Sequence, residues 1–502
     1  MKRKIPTTMA SQHPDHASTP YWHTQPLITT QDESMEAFLT YSDLGIDEYK
    51  WDWEGKYVDE SVMERLLSTH FDYFKEHQIG RDKFLTFRLP NPKVETEFRL
   101  GRAFMGILSA SGLSKRFALA DNPLFEVILP MTQSAEDLID IQEAFREIAT
   151  LKHKYYQFGD TKMDNIEVIP LFEQVEVILN SDTILKEYVE YSVKKLKKKP
   201  EYMRPYFARS DPALNSGIIP TVLAIKMALH SYKKFEEENE IPLYPIIGAA
   251  SLPFRGGLNP DTVSVFSNEY AGIRTFLIQS AFRYDYPKKD VIKAIQTLDT
   301  ILPKGTAQSI SKKEQSIIRK IIEIGTSLYK PTVEKIAIDV NLVSKHIPKR
   351  RERVQHVGLF GYSRGVGKVS LPRAIGFTAS MYSLGAPPEF IGTGRTIKYA
   401  TKEGHLPILE KFYINLRHDL ERSAEYVNKS VIEKLALTNE GWKQYQEDVK
   451  AIEEYLGHEV GPKNHEQREH YYLVELISNR LSSEKDLTGY IEEAGKIRKS
   501  IG

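Results

Sequence analysis

The 502-residue chain contains no cysteine, which excludes disulfide bonds, thiolate nucleophiles and cysteine-ligated zinc. It also has no excess charge. Its 68 basic residues balance 68 acidic ones, so no overall field favours nucleic acid or a membrane surface. No run approaches the roughly 20 apolar residues that span a bilayer, and the polar N-terminal segment lacks the apolar core of a secretory signal. We therefore expect a cytoplasmic globular protein with neither nucleic acid nor a membrane as a partner.

Short apolar runs, rich in β-branched residues, recur through the first three quarters of the chain. Such runs are typical of strands that are buried on both faces. They predict strands at 48–53, 83–89, 124–130, 166–172, 204–209, 243–249 and 356–362. Helical patterns fill many of the gaps, and one of them begins with a capping signature at Ser134. This alternation predicts an α/β fold of the (β/α)₈ TIM-like barrel type.

The last part of the chain has a different pattern. From about residue 405 to 502 it is almost purely helical, and no Pro/Gly/Ser-rich linker separates it from the rest. We expect a single catalytic domain, 1–502, with barrel strands in roughly 45–365. Extensive additional helices would decorate the barrel and form a helix-rich C-terminal region.

Two predicted strands end on acidic residues. Glu173 closes the apolar run that begins at Ile166, and Asp211 follows the run that begins at Arg204. In β/α barrels the C-terminal ends of the strands build the active site. A few carboxylate oxygens, completed by water and substrate phosphate, are the usual ligands of Mg²⁺. The pattern predicts a divalent cation held by Glu173 and Asp211.

Arginines accompany these acids at predicted strand ends and loops: Arg88, Arg209, Arg255, Arg364 and Arg373. Arginine is suited to bidentate recognition of phosphate and carboxylate. Two glycines follow Arg255 and would let the backbone approach a ligand closely. The set predicts a metal-assisted site for a small anion, although any single member is equally compatible with a structural salt bridge.

One histidine near the start needs separate weighing. His13 lies in the polar, turn-rich segment SQHPDH, which has no strand or helix periodicity. By default such a histidine is simply exposed. If the segment precedes the first strand and folds back across a barrel mouth, His13 becomes a candidate proton acceptor.

Three other motifs suggest functions that their context does not support. GYSRGVGK, 361–368, lacks the glycine spacing of a phosphate-binding loop. AIKM, 224–227, resembles a biotin attachment site but lies in a helical pattern, so we expect Lys226 to be an ordinary helix residue. The basic patch KRRER, 349–353, is expected at the surface, with an effector site as the alternative.

Taken together, the motifs resemble one family. In order they are SQHPD near the start, WDWEGK at 51–56, TFRLPNP at 86–92, IPLFE at 169–173, RSDPALNSG at 209–217, LPFRGG at 252–257, and YSR with LPRAIGF between 362 and 377. Each motif alone is weak, but the ordered set covers essentially the whole chain. It resembles phosphoenolpyruvate carboxylase, specifically its short archaeal-type branch.

The resemblance implies a reaction and a set of residue roles. Phosphoenolpyruvate and bicarbonate would give oxaloacetate and phosphate through carboxyphosphate and the enolate of pyruvate, with Mg²⁺ or Mn²⁺ and no biotin. Glu173 and Asp211 look like the metal ligands. Arg364 and Arg373, with Arg255, look like catalytic residues that clamp the substrate, while Arg88 and Arg209 also line the anion site. His13 looks like the residue that helps carboxyphosphate break down, and the family suggests a homotetramer.

Two other functions stay open at this point. One is a Mg²⁺-dependent lyase or aldolase that acts on phosphoenolpyruvate or an oxo-acid. The other is a non-catalytic regulatory relative of the same fold. The sequence also departs from the larger branch of the resembling family, because Leu214 stands where that branch has a lysine.

Overall fold

Eight parallel strands form a closed barrel at the centre of the protein. The computed structural model describes residues 4–56, 58–93, 95, 98–151, 163–352, 365–366, 369–481 and 485–502. The barrel strands are β1 Thr8–Ser11, β2 Glu48–Asp52, β3 Phe84–Arg88, β4 Glu126–Leu129, β5 Glu167–Phe172, β6 Tyr206–Ala208, β7 Ile246–Gly248 and β8 Thr275–Ile278. Each strand pairs with the next in the chain, and β1 pairs with both β2 and β8, which closes the barrel. The predicted (β/α)₈ class is confirmed.

Six of the seven predicted strands are present, and the seventh, at 356–362, falls within 353–364, outside the described residues. The predicted barrel range of 45–365 is wrong, because the barrel runs from Thr8 to Ile278. Pattern reasoning missed β1 and β8, which have four residues each. β1 contains threonine and serine, and its neighbours are polar. Its place is decided by pairing with strands that lie far away in the sequence.

Helices cover the barrel and continue beyond it. Within the described residues they are α1 Glu33–Ser42, α2 Val62–Glu76, α3 Arg99–Arg116, α4 Ala135–Ala149, α5 Val175–Leu179, α6 Ser181–Tyr191, α7 Ser210–Ser216, α8 Ile218–Asn239, α9 Val263–Glu269, α10 Ser280–Tyr284, α11 Lys288–Ile301, α12 Lys312–Ser344, α13 Ala374–Ser383, α14 Thr393–Lys402, α15 Leu406–Phe412, α16 Leu416–Ala424, α17 Lys429–Ala436, α18 Glu440–Leu456, α19 His465–Arg480 and α20 Thr488–Arg498. The capping signature at Ser134 is confirmed, because Ser134 and Asp137 form a reciprocal capping box at the start of α4. None of the described helices is long and apolar enough to cross a membrane.

The helical region begins earlier than predicted. From α10 onward the regular elements of the described chain are helices, apart from a hairpin of β9 Gly365–Val366 and β10 Val369–Ser370. The 33-residue α12 packs against α8 of the barrel layer and against α14 and α18 of the C-terminal part. Near the end of the chain, the Ile501 amide donates to the Asp15 carbonyl, which follows β1. These contacts join the C-terminal helices to the barrel, and the single catalytic domain of residues 1–502 stays a prediction.

Hydrophobic residues divide into two layers around the barrel wall. Alternate residues of a strand face opposite sides, so one strand can contribute to both layers, although β2 and β3 add no residue to the inner hydrophobic one. The interior is filled by Met9, Ile128, Ile169, Leu171, Tyr206, Ala208, Ile246 and Leu277. The outer layer is larger and joins the strands to the helices. The barrel is therefore a packed core, and any site on its axis must lie at one of its ends.

Candidate active site at the barrel mouth

A cavity of about 440 Å³ opens at the C-terminal ends of the strands. Residues at the C-terminal end of every barrel strand except β4, or directly after that end, line it. The described residues predicted for the site all line it: His13, Arg88, Glu173, Arg209, Asp211, Arg255 and Arg373. The remaining one, Arg364, lies outside the described residues. Residues spread over 360 positions of the sequence therefore meet in one place.

His13 reaches the cavity by a route that differs from the predicted one. The segment SQHPDH does not precede the first strand; it continues from the end of β1, so His13 stands at a strand end like the other site residues. The Ser11 hydroxyl lies 2.9 Å from His13 Nδ1. The Ser280 hydroxyl donates to the His13 carbonyl at 2.7 Å, which fixes the backbone. The other ring nitrogen, Nε2, has no hydrogen-bond partner among the described residues.

The surroundings of His13 favour the neutral imidazole. Burial, and after it the charge of Lys50, hold the pKa of His13 well below its usual value, and Arg88 and Arg255 act in the same direction. The carboxylate of Asp52 opposes them. A neutral imidazole with one ring nitrogen held by Ser11 is suited to accept a proton on the other.

Glu173 and Asp211 follow neighbouring strands. Glu173 comes directly after β5 and is 4% exposed, whereas Asp211 lies in the first turn of α7, after β6. Because β5 and β6 are paired and parallel, both carboxylates line the same edge of the cavity. Within the described residues there is no group of three or more acidic, histidine or cysteine side chains that would form a complete protein cage for a metal. Two carboxylates that leave positions for water and substrate oxygens fit Mg²⁺ or Mn²⁺.

Arg88, at the end of β3, is held by two acids that were not predicted as site residues. Its Nε donates to Asp52 Oδ1 at 2.7 Å, and its Nη1 lies 2.6 Å from Glu54 Oε2. Burial by itself lowers the pKa of Arg88, but Asp52 and Glu54 outweigh it, and the pKa is raised well above its usual value. Both acids belong to WDWEGK, a motif of the resemblance to which no role had been given. Their alternation with two tryptophans was the signal that pattern reasoning did not use.

Arg255 is fixed on all sides. Its Nη2 donates to Gln279 Oε1 at 2.6 Å, and its Nη1 donates to the Gly502 oxygen at 2.6 Å and lies 3.4 Å from Asp15 Oδ2. Its Nε donates to the Ser210 hydroxyl at 3.2 Å. The end of β8, the segment after β1 and the C-terminal helical part therefore meet at one guanidinium. Sequence reasoning missed Asp15, Gln279 and Gly502, because their role depends on elements that only tertiary packing brings together.

The two glycines after Arg255 have a structural reason. Gly256 and Gly257 have φ of 120° and 79°, in the region that favours glycine. A Cβ on Gly256 would lie 2.7 Å from the Ala249 Cβ. The glycines thus allow the tight turn that presents Arg255. The close approach of the backbone to a ligand stays a prediction.

Arg209 supports this turn from behind. Its Nε donates to the Tyr270 hydroxyl at 3.0 Å, and its Nη1 donates to the Phe254 carbonyl at 3.2 Å. Arg209 is 1% exposed and is one of the residues that line the cavity. The observed contacts make it a support for the loop that carries Arg255, and its predicted contact with substrate stays a prediction.

The basic patch at 349–353 is only partly at the surface, and the prediction is wrong for Arg350 and Arg351, each 3% exposed. Lys349 and Glu352 are exposed, and Arg353 lies outside the described residues. Arg351 pairs with Glu33 at 3.2 Å and Glu36 at 2.7 Å, and such acids compensate the cost of burying a guanidinium. Lys349 is exposed and lines the cavity, as does Arg373, which immediately precedes α13. The described lining residues include seven Arg or Lys and four Asp or Glu, so the cavity favours anions.

Comparison with known proteins agrees with this geometry. The family model for phosphoenolpyruvate carboxylase matches residues 5–502. A phosphoenolpyruvate carboxylase from Leuconostoc mesenteroides is 39% identical over 100% of this chain and 99% of its own length. Enzymes of the same name from Metallosphaera sedula and Pyrococcus horikoshii are each 39% identical, over 100% and 89% of this chain and 100% and 94% of their own lengths. The chain therefore belongs to the phosphoenolpyruvate carboxylase family, in its short archaeal-type branch.

Proposed function

We propose that this protein carboxylates phosphoenolpyruvate with bicarbonate, giving oxaloacetate and inorganic phosphate in an anaplerotic fixation of carbon. The observation that carries the proposal is the meeting of His13, Glu173, Asp211 and Arg255 in one cavity at the barrel mouth. A full-length family match supports it. Both substrates are small anions, which suits a cavity lined by more cations than acids.

The residues present fit a divalent metal, for which we propose Mg²⁺ or Mn²⁺ held by Glu173 and Asp211. Both are oxygen donors of the kind these ions prefer, and both line the cavity. When bound, the ion would neutralise charge that accumulates on phosphate and enolate oxygens. No biotin is proposed. Lys226, the residue of the attachment-like motif, lies inside α8 as predicted and is buried 2.8 Å from Glu269 Oε1.

The arginines and His13 are proposed to act in different halves of the reaction. Arg88, Arg255 and Arg373, with Arg364, are proposed to bind the phosphate and carboxylate of phosphoenolpyruvate while a bicarbonate oxygen attacks the phosphorus. The products of that step are carboxyphosphate and the enolate of pyruvate. The charge that moves onto the enolate oxygen is stabilised by the same positive surroundings.

His13 is proposed to act in the second half of the reaction. Its neutral imidazole takes the carboxyl proton of carboxyphosphate at Nε2, and the C–O bond to phosphate breaks to release CO₂ and inorganic phosphate. The enolate carbon then attacks CO₂ and forms oxaloacetate. Water must be kept away during this interval, because protonation of the enolate carbon would give pyruvate.

An assay of oxaloacetate formation with and without bicarbonate tests the proposal. The purified protein, supplied with phosphoenolpyruvate and Mg²⁺ in bicarbonate-depleted buffer, should form oxaloacetate only after bicarbonate is added. Metal-dependent turnover of phosphoenolpyruvate without bicarbonate would identify a lyase or aldolase instead. Absence of any turnover would identify a non-catalytic relative.

A homotetramer and a cytoplasmic location are proposed from the family resemblance. Light scattering coupled to size-exclusion chromatography measures the first directly. A mass near that of one 57.6 kDa chain would contradict it.

A further inference from the structure

A buried lysine lies inside the barrel beneath the cavity. Lys50 is the third residue of the five-residue strand β2 and is 0% exposed. Its strand neighbours on the same face are Glu48, which pairs with Arg204 inside the barrel, and Asp52, which lines the cavity. Lys50 therefore points into the barrel, one layer below the residues that face the cavity.

The ammonium of Lys50 has few partners for such a position. Its Nζ forms an ion pair with Asp52 Oδ1 at 3.0 Å, and no other ion pair of Lys50 is seen in the described part of the chain. A buried ion pair of this kind is weak evidence for stability, because an apolar residue of similar volume often serves as well. The position of Lys50 directly under the site therefore calls for a functional reason.

The functional reason lies in Asp52, the acid that pairs with Lys50. Asp52 Oδ1 also accepts from Arg88 Nε at 2.7 Å, so one carboxylate oxygen is shared by the two cations. Arg88 in turn pairs with Glu54 at 2.6 Å. With Lys50 charged, these four side chains carry no net charge. Without it they carry one negative charge beside a cavity that must receive anions, a strongly unfavourable change in a low-dielectric interior.

The same ammonium acts on the histidine. In the pairing of β1 with β2, Lys50 is the register partner of Ser11, whose hydroxyl lies 2.9 Å from His13 Nδ1. A positive charge there disfavours a second positive charge on the imidazole. Lys50 thus favours the form of His13 that accepts a proton.

We propose that Lys50 is a positioning residue of the carboxylation site, which holds Asp52 so that Arg88 stays oriented and the floor of the cavity stays receptive to phosphoenolpyruvate. The inference rests on the proposed function, but Lys50 itself touches neither substrate nor metal. Its action passes through the Asp52 carboxylate and through its own charge.

Lys50→Met and Lys50→Arg test the inference by steady-state kinetics in phosphoenolpyruvate. Loss of the charge in Lys50→Met should raise KM for phosphoenolpyruvate about tenfold or more, and Lys50→Arg, which keeps a cation, should recover most of it. The matched control is Lys83→Met. Lys83 is also buried and lies 2.8 Å from Asp47 Oδ1, but at the N-terminal end of the barrel, so its loss should affect stability and leave KM unchanged.

The pH dependence gives a measurement that a purely structural role would not change. Burial, and then the neighbouring Arg88, lower the pKa of Lys50 to about 8 against the opposing Asp52 and Glu54. KM of the wild type should therefore rise as the pH passes through about 8, and Lys50→Arg should lose this rise because a guanidinium stays charged. His13 faces the same cluster but is already neutral in this range.

A double-mutant cycle with Asp52→Asn covers the case in which Lys50→Arg folds poorly. If Lys50 acts through Asp52, the two substitutions should be strongly non-additive in KM. Unchanged KM in Lys50→Met, an equal change in Lys83→Met, or additive effects in the cycle would each overturn the inference. If the wild type forms no oxaloacetate, the proposed function fails instead, so the two failures are distinguishable.

Discussion

The two ends of the barrel interior both contain buried charges, yet they are arranged differently. At the N-terminal end, Arg204 lies between Glu48 and Glu126, 2.7 Å from each, and is 2% exposed. At the C-terminal end, the arginines surround a cavity of about 440 Å³. Both ends contain arginine and carboxylate side chains.

The difference shows what separates a structural cluster from a site. At the closed, N-terminal end, the guanidinium of Arg204 pairs with two glutamates, which already supply its anionic partners. At the open end, cations outnumber acids among the described lining residues, and Arg255, whose guanidinium is held by Gln279, Gly502 and Asp15, lines the cavity. The charged side chains at the N-terminal end are enclosed in the barrel, whereas those at the C-terminal end line an open cavity. Four substitutions test this contrast.

The largest expected effect is at the proposed metal ligands. Glu173→Ala should lower kcat by ~10³-fold or more and raise the Mg²⁺ concentration needed for half activity, because charge on the enolate and phosphate loses its stabilisation. Oxaloacetate formation across a Mg²⁺ series measures both quantities, and calorimetric titration with Mg²⁺ measures binding apart from activity. The matched control is Glu167→Ala, at the opposite end of β5, where the acid pairs with Lys198 at 3.6 Å. A metal dependence equal to that of the wild type would remove Glu173 from the site.

A substitution at the closed end should change the stability of the protein and not its catalysis. Arg204→Met removes the guanidinium that pairs with both Glu48 and Glu126 and should lower the free energy of unfolding by about 3–5 kcal/mol. Urea unfolding followed by circular dichroism measures this loss. kcat and KM of the folded fraction should stay within about twofold of the wild type. A loss of kcat/KM that corresponds to the same free energy as the loss of stability would mean that the two ends are coupled. It would contradict the contrast between them.

His13→Asn separates the two halves of the reaction. If His13 acts only after phosphoryl transfer, phosphate release should continue while oxaloacetate formation falls by ~10²-fold, and pyruvate should take its place. Parallel assays of phosphate, pyruvate and oxaloacetate measure the ratio. His230→Asn, on the half-buried face of α8, should keep phosphate and oxaloacetate equal. Equal loss of both products in His13→Asn would point to a binding role.

The smallest expected effect concerns Glu389, which is fully buried. Its carboxyl group accepts a hydrogen bond at 2.7 Å from the backbone amide of Phe254, the residue before Arg255. Burial raises the pKa of Glu389 from 4.5 to about 7. The folded state therefore binds this proton more tightly than the unfolded state does. The stability it contributes is fully present below about pH 4.5 and is lost as the pH rises through about 7.

Glu389→Gln stays neutral and should remove this dependence. Relative to the wild type, the variant should be more stable by about 1–3 kcal/mol at pH 8 and show no advantage near pH 4.5. Urea unfolding of both proteins across this pH range measures the difference. A constant difference at every pH would mean that Glu389 does not titrate in this range.

The strand-end acids show how far sequence patterns reach. Glu173 and Asp211 close apolar runs that are long enough to identify as strands, and parallel strands bring such ends together, so their meeting followed from pattern and fold class alone. β1 was missed because four residues with two hydroxyl side chains give no periodicity. Without β1, the sequence predicts that His13 reaches the barrel mouth on a segment that precedes the first strand and folds back. In the structure His13 directly follows the end of β1.

The burial of Arg350 and Arg351 illustrates the opposite case. A run of basic residues favours the surface unless partners compensate for burial, and the partners of Arg351 lie on α1, more than 300 residues away in the sequence. The same holds for Lys50 and Asp52 in β2. The sequence places a charged residue within a strand but does not show which oppositely charged residue will pair with it.

The sequence by itself determined the barrel class, the acids and arginines at strand ends, and the ordered motifs of the family. It could do so because strand periodicity and motif order are local or linear properties of the chain. Only the tertiary structure decided which charges are closed off and which face a ligand. Arg204 and Arg255 are both arginines of β/α segments, and their environments differ because distant elements supply two glutamates to one and an open cavity to the other.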